Sequence, residues 1–146
     1  MRKITIIVTL LFAIIGGNRL YGQISMNAVT IIGNKTGFSS NSAKEIKQVF
    51  RGKYSNWSTR EQVIIVLPAS RASSAEIVAS TVYGNTVSGV QKYWLALVFQ
   101  GRANPPVFLD SDEEIINYVK KTSGAIGVVS ASAQNIPKNL IIYINN

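Results

Sequence analysis

The chain contains neither cysteine nor histidine. The first absence removes disulfides, thiolate nucleophiles and sulfur ligands for zinc; the second removes the commonest general base and the commonest metal-binding ring. A Ser-His-Asp hydrolase is thereby excluded. No other catalytic constellation is visible, so the sequence reads as a non-enzyme with no cofactor and no metal. Charge is also scarce, at 15% of residues against 47% apolar, too little for a solvated disordered chain and enough apolar matter for a core. A length of 146 residues suggests one domain.

No apolar run reaches the roughly 20 residues that span a bilayer. The longest lies at the N-terminus, where basic Met1-Arg2-Lys3 precedes residues 4–15, which are uncharged and almost wholly apolar. Gly16-Gly17-Asn18 breaks the run, and Gly22 offers a small residue before a cut. This is the pattern of a secretory signal peptide over residues 1–22, and it predicts an exported, periplasmic domain over residues 23–146. No cysteine follows the apolar run, so a lipoprotein anchor is excluded. Cleavage would remove Arg2, Lys3 and Arg19, leaving twelve Lys/Arg against seven Asp/Glu, a net charge of +5. A positive field favours anionic ligands. The charges are scattered, with Lys120-Lys121 the only adjacent pair in that part. A nucleic-acid binder shows a denser stripe with interleaved aromatics, so no nucleic-acid partner is expected.

Residues 27–33 are β-branched, end at glycine and predict a strand. A polar loop over 34–41 leads to Ser42 and Glu45, a capping box for a helix whose apolar face is Ile46, Val49 and Phe50. Residues 63–67 are a continuous apolar run closed by Pro68, as suits a strand buried on both faces of a parallel sheet. Ser73 with Glu76 and Ser88 with Gln91 predict the caps of two further helices, the second carrying Val90, Trp94, Leu97 and Val98 at helical spacing. Pro105-Pro106 introduces a short strand over 107–109, and Ser111 with Glu114 caps a helix burying Ile115, Ile116 and Val119. Residues 124–129 and 140–144 predict two last strands. Strands alternating with helices imply a single three-layer α/β domain, a mostly parallel sheet with helices on both faces.

In such sheets ligands sit beyond the carboxyl ends of the strands. The stretch after residues 63–67 offers hydroxyls from Ser70, Ser73 and Ser74 and the planar, permanently charged fork of Arg71, a donor set suited to an oxyanion. Alternatively, Ser73 only caps a helix and Arg71 is a solvated charge. Asn34 and Thr36 follow another strand and add an amide and a hydroxyl, or form an ordinary polar loop. Asp110, Asp112, Glu113 and Glu114 read as acids placed in a first helical turn, where the helix dipole favours them.

Four segments in order carry a resemblance. They are SAKEIKQVFRGK at 42–53 followed by Trp57, the strand at 63–68 with its serine-rich turn, YWLALVFQGR at 93–102, and GAIGVV at 124–129. Together they resemble the substrate-binding proteins of phosphate ABC transporters, within the type 2 periplasmic binding fold. The resemblance implies a short, single-lobe member that binds inorganic phosphate or a similar oxyanion and serves an ABC permease or other envelope protein. It places the ligand at the 69–75 stretch, where Ser73 matches the family's serine, Ser74 stands for its glycine and Ala75 for its threonine. Ala69 holds the place of its arginine unless Arg71 substitutes after a shift. The other reading is an envelope interaction protein that keeps the fold without the ligand.

Overall fold

The computed structural model describes residues 26–38 and 42–145. The proposed signal peptide of residues 1–22 lies outside them. Four strands form one sheet: β1 (Val29–Gly33), β2 (Ile64–Pro68), β3 (Val107–Leu109) and β4 (Ala125–Ser130), in the order β1-β4-β2-β3. β4, β2 and β3 run parallel, and β1 runs antiparallel to β4, with Gly33 opposite Ile126. The helices are α1 (Ala43–Phe50), α2 (Ala75–Val78), which continues into a π-helical turn (Ala79–Tyr83), α3 (Val87–Phe99) and α4 (Asp112–Lys121).

Side-chain alternation along the strands builds two cores. Ile31, Ile65, Leu67, Ile126 and Val128 face α1, α2 and α3, where Phe50, Val82 and Trp94 fill the layer. Ile32, Val66, Ala125 and Val129 face α4 through Ile115, Ile116 and Val119. The expected three-layer α/β domain with a mostly parallel sheet is therefore the observed one. Gly127 sets how close α4 comes. A Cβ there would stand 2.9 Å from Ile115 Cγ2 and 3.0 Å from Val119 Cγ2. Trp57 is buried, donating from Nε1 to the Gly124 carbonyl at 2.8 Å and packing edge-on against Phe38.

Several local expectations are corrected. The N-cap of α2 is Ser74, in αR geometry with no capping bond, whereas a capping box needs an extended cap residue. Ser73 is exposed in a tight turn held by Ala72 N–H to Ala69 O and Ala75 N–H to Ala72 O. α3 starts earlier than Ser88, because Thr86 is extended and accepts from Gly89 N–H, while Asn85 accepts from Thr86 N–H. The first strand begins at Val29, after a 3-10 turn (Met26–Ala28).

Residues 140–144 do not form a strand. A 3-10 turn (Lys138–Leu140) leads to a single bridge, Ile141 opposite Ile32, with Ile142 N–H donating to Ile31 O at 2.9 Å. This short contact lies along the outer side of β1. The other edge is β3, where Ala69 N–H donates to Leu109 O at 2.7 Å. The peptide groups of Val107 and Leu109 thus point to β2 and those of Phe108 point outward, after two prolines that have no N–H to offer.

Candidate functional site

The carboxyl ends of the three parallel strands bring together three short connections: residues 69–74 after β2, Asp110 and Ser111 after β3, and residues 131–133 after β4. Buried strands fix the feet of these loops, and the loops supply the polar groups. Ser70, Arg71 and Ser73 are exposed on the first of them, and Ser74 is buried at 2% exposure. Among the described residues, the backbone N–H groups of Ser70, Arg71 and Ser73 donate to no protein acceptor. The hydroxyls of Ser70 and Ser73, both exposed residues, also have no protein partner among the described residues.

Two carboxylates organise this edge. Asp110 takes Arg71 in a bidentate pair, with Nε donating to Oδ1 at 2.8 Å and Nη2 donating to Oδ2. The hydrogen bond and the charge of Arg71 hold the Asp110 carboxyl below its usual range, and Asp110 raises Arg71 in turn. The pair is open to water, with side-chain exposures of 78% and 43%, so solvent screening leaves it easy to exchange. Asp112, the first residue of α4, accepts from the Ser74 hydroxyl at 2.6 Å and from Ser130 N–H at 3.1 Å. One carboxylate thus ties the 69–74 turn to the end of β4 and to the start of α4. Glu114 accepts from Asp110 N–H at 3.0 Å, and Ser111 caps α4 by accepting from Glu114 N–H at 3.2 Å.

Sequence reasoning assigned all these acids to the dipole of α4. Asp110 and Asp112 belong to the site as well. The signal that could have found them is topological: both follow the carboxyl end of a strand parallel to β2.

Asn34 and Thr36 are not part of this cluster. Because β1 is antiparallel, its end lies at the start of β4, roughly 13 Å of strand away from Ser130. There Asn34 is structural: Nδ2 donates to Val119 O at 3.0 Å and Lys120 O at 3.1 Å, closing the last turn of α4. The structure therefore unites Ser70, Arg71, Ser73 and Ser74 and leaves Asn34 and Thr36 at the opposite end of the sheet.

Next to Ser70 an apolar cleft of about 380 Å³ opens between α3 and β3, walled by Trp94, Leu95, Val98, Pro106 and Phe108. The back of α3 is held by a relay of rings. Trp94 Nε1 donates to the Tyr83 hydroxyl at 3.0 Å, and that hydroxyl donates to Phe50 O at 2.7 Å. Burial pushes the Tyr83 hydroxyl well above its ordinary range, so it stays protonated and structural.

The sequence matches no family model, and no curated protein matches it. Among solved structures, the chain is similar to an ABC-type phosphate transport receptor from Vibrio cholerae, with a TM-score of 0.44 and 11% identity, over 73% of this chain and 43% of that one. It is similar to PstS from Borrelia burgdorferi with a TM-score of 0.45 and 13% identity, over 70% of this chain and 40% of that one. The chain thus spans less than half the length of either receptor.

Proposed function

We propose that this chain is an exported solute-binding-like module that holds phosphate or a related oxyanion at the turn carrying Ser70, Arg71, Ser73 and Ser74. One observation carries the reading: at the carboxyl edge of a parallel sheet, a single short turn carries backbone N–H groups without a protein acceptor, exposed serines and a guanidinium. A tetrahedral anion matches such donors, and Arg71 can trade the Asp110 carboxylate for it. The ordered segments that resemble phosphate-transporter binding proteins point to the same ligand. In that role the module works outside the cytoplasmic membrane, where the signal-peptide-like N-terminus would send it, and hands its anion to a permease or another envelope protein.

A second reading is an envelope interaction protein that retains the fold without the ligand. It is favoured by the engagement of Arg71 by Asp110 and of Ser74 by Asp112, which fill part of the donor set from within. Calorimetry with phosphate, sulfate and molybdate separates the two. Heat that is lost in Arg71→Ala and Ser73→Ala supports oxyanion binding. Silence with all three anions, in a protein that is folded by circular dichroism, leaves the interaction reading.

A further inference from the structure

The apolar cleft is continuous with the proposed anion site, because Ala69 and Ser70 belong to its lining. A cleft of about 380 Å³ lies within the range of small-molecule sites and is far more than a bare tetrahedral anion fills. Its apolar character continues onto the surface, where Leu95 is 59% exposed and Phe99, one turn along α3, is 82% exposed.

The segment that builds most of its wall carries charge of one sign. Residues 84–109, which build α3, β3 and their connection, contain no acid, and carry Lys92 and Arg102. Lys92 is three positions before Leu95 and Arg102 four after Val98, so both are sequence neighbours of cleft residues. Asp110, the first acid beyond β3, is held by Arg71. The cleft is thus lined mainly by apolar groups, with Gln91 on α3, and it shares Ala69 and Ser70 with the oxyanion turn.

We infer that the ligand is an amphiphilic oxyanion. Its anionic head sits at the Ser70 end, and a directly attached aromatic ring or short apolar chain lies along Trp94, Leu95 and Phe108. The inference rests on the oxyanion reading of the 69–74 turn and narrows it from inorganic to organic anions. A fully hydrated inorganic anion gains nothing from an apolar wall, and a neutral hydrophobe gains nothing from the donors of the Ser70 and Arg71 turn. An added β-strand is a poor occupant, because Pro105 and Pro106 blunt the edge of β3. A second copy brings the same acid-free segment, with its Lys92 and Arg102, to meet itself.

Calorimetry of the purified protein with phenylphosphonate, inorganic phosphate and benzyl alcohol tests this. Phenylphosphonate is expected to bind at least about tenfold more tightly than phosphate, the gain expected from taking one ring face out of water. Leu95→Glu, at an exposed position that tolerates a polar side chain, is expected to remove most of that advantage. Phosphate binding with no preference for phenylphosphonate overturns the inference and leaves the oxyanion reading intact. Failure of both anions overturns the oxyanion reading itself. Benzyl alcohol binding as tightly as phenylphosphonate, or self-association in sedimentation that Leu95→Glu abolishes, also overturns it, by showing a neutral ligand or a second copy in the cleft.

Discussion

Replacing Asp112 by alanine should destabilise the domain by about 3 kcal/mol, and the size follows from what its carboxylate holds. It accepts from the nearly buried Ser74 hydroxyl at 2.6 Å and from Ser130 N–H at 3.1 Å. Hydrogen bonds to a charged acceptor contribute about 1.5–3 kcal/mol each when both groups are buried. Asp112 is only half-buried, which places its two bonds near the lower end of that range. Its place at the first position of α4 adds a few tenths of a kcal/mol from the helix dipole. For a domain of this size, about 3 kcal/mol lowers Tm by roughly 10 °C. Ser74→Ala alone should cost about 1.5 kcal/mol, and the double variant little more than Asp112→Ala, a coupling of about 1.5 kcal/mol. Urea titrations of the four proteins, fitted with a common slope, measure this cycle. Asp112→Asn keeps one acceptor oxygen and should fall between wild type and Asp112→Ala. A coupling under about 0.5 kcal/mol would mean that the 69–74 turn is not anchored through this carboxylate.

Other outcomes bear on the site and on the packing beneath it. Asp110→Asn should strengthen oxyanion binding severalfold in calorimetry, because it frees the Arg71 fork from its internal partner; unchanged or weaker binding would argue against a role for Arg71. The folded Asp110 carboxyl titrates below its unfolded value, so the pair supports the fold above about pH 4 and stops doing so as pH falls through the folded value. Acid unfolding of Asp110→Asn, followed by circular dichroism, should therefore lack that component. Gly127→Ala drives a methyl group into Ile115 and Val119. Overpacking of about 1–3 kcal/mol outweighs the about 0.5–1 kcal/mol gained by removing a strand glycine, so Tm should fall. A rise would show that α4 shifts freely.

What could be read from the sequence was set by local physics. The run at 63–67 announced a doubly buried strand, and β2 is that strand, flanked by a parallel neighbour on each side. Ser42 and Ser111 are the caps of α1 and α4, each accepting a backbone N–H from three residues on. Ser73 and Ser88 had the same spacing and cap nothing. In the first case the helix starts one residue later, at Ser74, whose hydroxyl is drawn away to Asp112, 38 positions distant; in the second, Asn85 and Thr86 satisfy the free amides first. The reversed direction of β1 left no trace in residue pattern, yet it alone carries Asn34 and Thr36 away from Ser70. Of the candidate site, the 69–74 turn was visible in the sequence, whereas the two carboxylates that shape it were visible only as helix-starting acids.

The two rims of the sheet end in different ways. Along β1 the chain's own residues 141 and 142 occupy hydrogen-bonding positions, and beside β3 two prolines break the ladder before it can grow. A bare rim would template fibrillar stacking between copies. Residues 141 and 142 thus cover part of the outer side of β1, and removing them would leave that edge open to pairing between copies while every residue of the anion turn stayed in place.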